Sequence, residues 1–201
     1  MSLEQLKSEL IEFGRYAHQR HWVPATSGNF SQRLSAGEIL ITASGVHKGY
    51  LTEHDFLRVT PEGEALDPRA PSAETLLHLQ LYRRYPAVNC VLHVHPLAAS
   101  LLADFMAPAI RFTGLELLKA FDGITTHDTG CSLPVIANSQ DMHALAAAVE
   151  PCFDAPMLPA YLIRGHGVYV WGGDYRSAFR HLEALDVLLS CTTAKSTLFS
   201  A

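Results

Sequence analysis

The stretch Val91-Leu92-His93-Val94-His95-Pro96 decides the reading of this chain. Successive side chains of a strand point to opposite faces, so His93 and His95 share one face, with Cα atoms about 7 Å apart. Leu92 and Val94 pack the other face. Two imidazoles so placed can reach one ion at about 2.0–2.1 Å; the bland alternative is two unrelated histidines on one strand. A third imidazole stands in Arg164-Gly165-His166-Gly167-Val168, a tight turn between the apolar runs Tyr161–Arg164 and Val168–Trp171. Flanking glycines let the backbone approach an ion or ligand without a Cβ in the way, although a turn histidine that merely caps a hairpin would read the same. Three neutral imidazoles with an open fourth position make a catalytic metal site, not a structural one. The remaining eight histidines, His127 and His143 among them, have no comparable context and are read as surface or packing residues.

Val88–His95 is expected as a strand and Leu97–Met106 as a helix. Ser2 and Gln5 form a capping box before an apolar stripe of Leu3, Leu6, Leu10, Ile11 and Phe13, so the chain opens with a helix. Short strands are expected over Phe30–Leu34, Ile39–Thr42, Phe56–Thr60, Ile110–Thr113 and Leu133–Ala137. Ser72 should cap a helix carrying Leu76, Leu77 and Leu81 that Pro86 closes. Leu115–Phe121 reads as a short helix, Ser139 caps another through Val149, and Asp174 caps a long last helix with Leu182, Leu185, Leu188 and Leu189 on one face. Several strands are joined by short turns without helical crossovers. The pattern therefore predicts one α/β domain over residues 1–201, with helices covering a mixed, mostly antiparallel sheet.

A formal charge of −5 with no run of Lys or Arg argues against nucleic acid or an anionic membrane surface as partner. Apolar stretches are broken well short of the roughly 18–20 residues of a membrane span, and MSLEQLKSEL lacks the apolar core of a signal peptide. A cytoplasmic protein is expected. Cys90, Cys131, Cys152 and Cys191 form no CxxC pair and are read as reduced, mostly buried thiols.

Three polar loops could hold an anion. Thr26-Ser27-Gly28-Asn29-Phe30-Ser31 can turn several N–H and O–H donors toward one group. Thr42-Ala43-Ser44-Gly45-Val46-His47-Lys48 repeats the idea after a strand and adds the charge of Lys48. In Pro71-Ser72-Ala73-Glu74, Ser72 opens a helix whose N-terminus favours anions. Each alone is an ordinary turn; three beside a metal constellation suggest a sugar phosphate.

The pieces TSGNFS, TASG, PSAET, HVHP and the late glycine-flanked histidine, in that order, resemble the class II aldolase/epimerase/dehydratase family over Leu6 to Leu189. That resemblance implies an α/β/α sandwich, one Zn2+ per subunit, and a homotetramer of fourfold symmetry with active sites at subunit interfaces. It makes His93, His95 and His166 the zinc ligands and places a substrate phosphate among Ser27, Gly28, Asn29, Ser44, Gly45, Lys48 and Ser72. Ser44–Lys48, Leu115–Lys119 and Arg164–Gly172 look most like the dehydratase branch, whose activity is loss of water from a ketose phosphate. Some of those dehydratases carry His-Gln where this chain has Gly114-Leu115. Two glutamates compete for proton transfer: Glu74 stands where the aldolases place their carboxylate, and Glu116 matches the residue given that role in the dehydratases. The resemblance favours Glu116 for catalysis with Glu74 as auxiliary. A sugar-phosphate aldolase or pentulose-phosphate 4-epimerase is the alternative chemistry, and a metal-free interaction module the alternative of another class.

Overall fold

The structure is a computed structural model that describes residues 1–102, 108–154 and 157–199, the last three without side-chain detail. Helix α1 spans Leu3–Gln19 and starts at the expected capping box, with Ser2 Oγ accepting from Gln5 N and Gln5 answering to Ser2 N. Its buried stripe is Leu6, Leu10, Phe13 and Ala17; Leu3, expected within it, stays exposed. Strands β1 (Asn29–Arg33), β2 (Ile39–Thr42) and β3 (Phe56–Val59) follow, then α2 (Thr75–Arg84), β4 (Cys90–Val94) and α3 (Leu97–Leu102). The helix expected over Leu97–Met106 is present as far as Leu102, and its remainder lies outside the described residues. The chain continues with β5 (Ala109–Thr113), a 3-10 turn over Glu116–Ala120, β6 (Gly130–Ile136), α4 (Met142–Val149), β7 (Ala160–Ile163), β8 (Gly167–Gly172) and α5 (Tyr175–Phe199).

The eight strands form one sheet in the order β3-β2-β1-β4-β8-β7-β6-β5. Every neighbouring pair is antiparallel except β6 with β7. One apolar cluster fills the face under α1, α3 and α5 and includes Phe30, Leu92, Val94, Val168 and Leu185. The other fills the face under α2 and α4 and includes Ile41, Leu77, Val91, Tyr161, Tyr169 and Trp171. Leu92 and Val94 thus pack opposite to Val91, and the histidines that alternate with them are directed to the α2 side. The expected sandwich, with its mostly antiparallel sheet, is the observed one.

Two caps differ from expectation. Helix α2 begins at Thr75 with Glu74 in the N-cap position, not Ser72. Ser72 instead closes the turn before it, its Oγ accepting from Glu74 N and its carbonyl from Thr75 N. Helix α4 is capped by Asp141, whose Oδ1 accepts from His143 N and Ala144 N, while Ser139 accepts from Asp141 N one step earlier. A carboxylate there adds a favourable charge at the positive helix end that a hydroxyl lacks. Asp174 caps α5 as read, accepting from Ser177 N at 2.7 Å. All four cysteines are free, but only Cys90 is buried and Cys191 is exposed. No described helix is long and apolar enough to cross a membrane.

Candidate metal centre and active site

Register places the site at the C-terminal end of β4. In the β1–β4 ladder Asn29 lies opposite His93, and in the β4–β8 ladder His93 lies opposite Tyr169. His166 sits in the turn joining β7 to β8. Its predecessor Gly165 takes a left-handed φ of 64° that a β-carbon would strain. Gly167 has no room for a side chain: a Cβ there would meet Val94 O, lie 2.7 Å from His95 Cδ2 and 3.1 Å from His93 Cε1. Both imidazoles therefore rest directly on the β8 backbone.

The three histidines predicted as ligands meet. His95 Nε2 is 2.8 Å and His166 Nε2 3.3 Å from His93 Nε2, and all three potential ligand atoms lie within 4.8 Å of one another. His93 Nδ1 is 3.0 Å from Val168 O. A carbonyl only accepts, so Nδ1 carries the proton and Nε2 presents a lone pair to the cluster. Burial lowers the titration of His93 to about 4 and of His95 to about 3, so both rings are neutral near pH 7. Glu74 adds a carboxylate, with Oε2 3.1 Å from His93 Nε2 and Oε1 3.1 Å from His166 Nε2. Electron pairs converging on one point, with too few protons to share between them, are a donor set for a cation. Ligands at 2.0–2.1 Å in a tetrahedral shell stand about 3.3 Å apart, close to the separations here. The residues fit a divalent ion.

Glu74 is itself held. Asn29 Nδ2 donates to its Oε2 at 3.2 Å, and the Tyr169 hydroxyl donates to the same oxygen. The Tyr169 ring stacks on His93 with centroids 4.2 Å apart. Burial pushes the Glu74 carboxyl up, but hydrogen bonds with His166 and from the Tyr169 hydroxyl outweigh it and hold the group below the usual carboxylate range. Its side chain is absent from the cap of α2 because it is committed here. Tyr169 is a site residue that no sequence motif marked by itself, although it lies within the Arg164–Gly172 stretch. His78, read as a surface or packing residue, is fully buried and hydrogen-bonded into the same network.

The three polar loops converge beside the histidines. Gly28, at φ 76°, lies on β4, where a Cβ would come within 2.8 Å of His93 O. Ala43 bridges to Pro71, and Ser44 N donates to Ala70 O, which brings the second loop against the third. Ser44 and Gly45 are exposed, and Ser27 and Ser72 half-buried. Lys48 is 2% exposed, and its ammonium donates to Thr26 O at 2.9 Å and Val46 O at 2.7 Å, tying the first loop to the second. Burial lowers it to about 8. Asn29 departs from expectation: its side-chain amide is committed to Glu74 and His78.

Glu116 is not brought to the imidazoles by its own chain. Its side chain is 70% exposed on the 3-10 turn, paired with Lys119 at 2.6 Å and His127 at 3.3 Å. The Lys119 hydrogen bond holds it below the ordinary carboxylate value.

The chain resembles known proteins over nearly its whole length. Residues 8–193 match the family described as class II aldolase and adducin N-terminal domain. The chain is 50% identical over 189 residues to methylthioribulose-1-phosphate dehydratase of Gluconobacter oxydans, covering 93% of this chain and 90% of the relative. It is 46% identical to the protein of that name from Pseudomonas syringae pv. tomato, over the full length of both. Among solved structures, L-fuculose-1-phosphate aldolase from Thermus thermophilus superposes with a TM-score of 0.80 at 27% identity, covering 98% of each chain. With a family match over nearly all of its length and near-half identity to full-length relatives, the chain belongs to the class II aldolase family.

Proposed function

We propose that the chain dehydrates methylthioribulose 1-phosphate to the 2,3-diketone phosphate, a hydro-lyase step of methionine salvage. The observation that carries this is the cluster of His93, His95 and His166 facing Glu74, in a chain that is 50% identical to a dehydratase of that name. His93, His95 and His166 would hold one Zn2+, which when bound supplies Lewis-acid polarisation of the substrate's C2 carbonyl oxygen. Ser27, Gly28, Ser44, Gly45 and Ser72 would bind the phosphate, with Lys48 adding positive potential from behind the loops. Fixing that non-reacting end converts phosphate affinity into orientation of C3 and C4 at the cluster.

The chemistry needs a proton taken from C3 and a proton delivered to the C4 hydroxyl as it leaves as water; tautomerisation of the resulting enol then gives the diketone. Glu116 is assigned this transfer. Glu74 is a poor base, because the Asn29 and Tyr169 donors on Oε2 stabilise its ionised form. It orients the reacting groups instead. An exposed Glu116 serves a site shared between copies of the chain, as a homotetramer with interfacial active sites would provide. A groove of about 610 Å³ among Trp22, Leu97, Leu101 and Asp186 supports such assembly, since Leu97 and Leu101 are 73% and 51% exposed beside it. The polar cluster and the lack of a described membrane-spanning helix suit a cytoplasmic enzyme.

One observation favours an aldolase reading: Glu74, not Glu116, touches the histidines within one chain. The purified, zinc-loaded protein should therefore be given methylthioribulose 1-phosphate and fuculose 1-phosphate in parallel. Diketone formation from the first without aldehyde release from the second supports the dehydratase; aldehyde release alone rejects it.

A further inference from the structure

Two periodicities meet behind the metal centre. Asn29, Ser31 and Arg33 alternate along one face of β1, and Glu74, His78 and Tyr82 recur every fourth residue at the start and along one face of α2. The two rows interlock. Asn29 Nδ2 donates to Glu74 Oε2, His78 Nε2 meets Asn29 Oδ1, His78 Nδ1 is 2.7 Å from Ser31 Oγ, and Ser31 Oγ is 2.8 Å from the Tyr82 hydroxyl. Arg33 closes the end of the row, donating to Tyr82 O at 2.7 Å with its guanidinium over the Tyr82 ring. Ser31 and His78 are 0% exposed and Tyr82 3%, so no bulk water competes.

The direction of every bond in this row is forced. Glu74 Oε2 already accepts from the Tyr169 hydroxyl, so the Asn29 atom facing it is the donor Nδ2, and Oδ1 faces His78. Oδ1 only accepts, so His78 carries its proton on Nε2. Burial keeps the ring neutral, lowering its titration to about 4, so Nδ1 is an acceptor and Ser31 donates to it. Ser31 has one proton, so Tyr82 donates to Ser31. Each group has one orientation that satisfies its neighbours, and reversing any one leaves a buried donor or acceptor unmet.

We propose that His78 is a positioning residue for Glu74: by donating from Nε2 it locks the Asn29 amide with its N–H toward the carboxylate. Without that donor the amide is free to turn its oxygen toward Glu74, replacing an attraction with a repulsion. The lock differentiates the two carboxylate oxygens. Oε2 takes Asn29 and Tyr169, and Oε1 is left facing His166 as the oxygen available to the substrate.

The proposal rests on Glu74 acting in the reaction described above, so its test has one readout that needs no turnover. His78→Phe keeps a ring but supplies no donor; His78→Gln can return an N–H to Asn29. In the zinc-loaded protein, His78→Phe should lower kcat roughly 10-fold with KM within about twofold and zinc content unchanged, and His78→Gln should recover most of the loss. In parallel, the Asn29 side-chain amide resonances should show slow solvent exchange in the wild type and in His78→Gln, but not in His78→Phe. Should His78→Phe not fold, Ser31→Ala, which frees His78 to move its proton to Nδ1, should lower kcat in the same direction by a smaller factor. Normal kcat in folded His78→Phe, equal losses in the Phe and Gln variants, or unchanged turnover in Ser31→Ala in place of an unfolded Phe variant would overturn the proposal. If the wild type dehydrates nothing, the function fails, while the amide exchange still decides whether His78 holds Asn29.

Discussion

Replacing Gly167 by Ala separates the histidine geometry from the stability of the fold. The new methyl group would meet Val94 O, which is backbone and cannot swing away, and would lie 2.7 Å from His95 Cδ2 and 3.1 Å from His93 Cε1. Ordinary carbon contacts begin near 3.5 Å, so His95 must retreat by about 0.8 Å and His93 by about 0.4 Å. Metal sites tolerate deviations of only about 0.2 Å in ligand distance. Overpacking of this kind costs roughly 1–3 kcal/mol of stability, which leaves a typical domain folded. Gly165→Ala is the matched control. It has open space around a Cβ and pays only for its left-handed backbone, roughly 1–2 kcal/mol. The assay is metal per chain after dialysis against a weak chelator, alongside a melting curve. Gly165→Ala should keep its zinc and Gly167→Ala should lose most of it at a similar Tm. Equal zinc retention in both would mean that the imidazoles do not rest on the β8 backbone.

Glu116→Gln should lower kcat roughly 10²–10⁴-fold with zinc content and Tm unchanged, whereas Glu74→Gln should cost less, roughly 10–100-fold. Kinetics of the two variants side by side check this, and the reverse order would mean the site works with the aldolase carboxylate. Ser44→Ala should raise KM more than it lowers kcat, because the phosphate contact is similar in ground and transition states; unchanged kinetics would put the phosphate elsewhere. Because Lys48 is charged only below about 8, kcat/KM should fall as pH rises through that value as positive potential at the loops is lost. Lys48→Arg, which stays charged, should carry the decline to higher pH, and a decline identical in the variant would exclude Lys48 as its source.

The sandwich could be read from sequence because short apolar runs are joined by turns without helical crossovers. Leu92 and Val94 against His93 and His95 define both faces of β4 before any pairing is known, and the glycines around His166 mark a turn able to approach them. Harder to read were features set by partners distant in the chain. Ser72 and Ser139 are good caps by residue type, but the nearby acidic residues Glu74 and Asp141 took the N-cap positions, and only tertiary contact turns the Glu74 carboxylate away from its helix. Asn29 looked like a phosphate ligand because its loop is polar; the ladder opposite His93 is what hands its amide to Glu74. His78 and Tyr82 carried a usable signal in their four-residue spacing from Glu74, but a polar stripe on a helix reads as a solvated face until a strand of Asn29 and Ser31 is seen to cover it. Glu116 was legible through resemblance alone, and its surroundings within one chain are solvent, Lys119 and His127.

On the proposed reading, one metal ion on His93, His95 and His166 makes this chain a dehydratase. The direct measurement is to strip the protein with chelator, add Zn2+ stepwise, and follow bound metal and diketone formation from methylthioribulose 1-phosphate on the same samples. Activity should rise in proportion to bound zinc and level off at about one ion per chain, with His166→Ala neither binding that ion nor recovering turnover. Full turnover by the metal-free protein, or a His166→Ala variant that binds zinc and turns over normally, would contradict it.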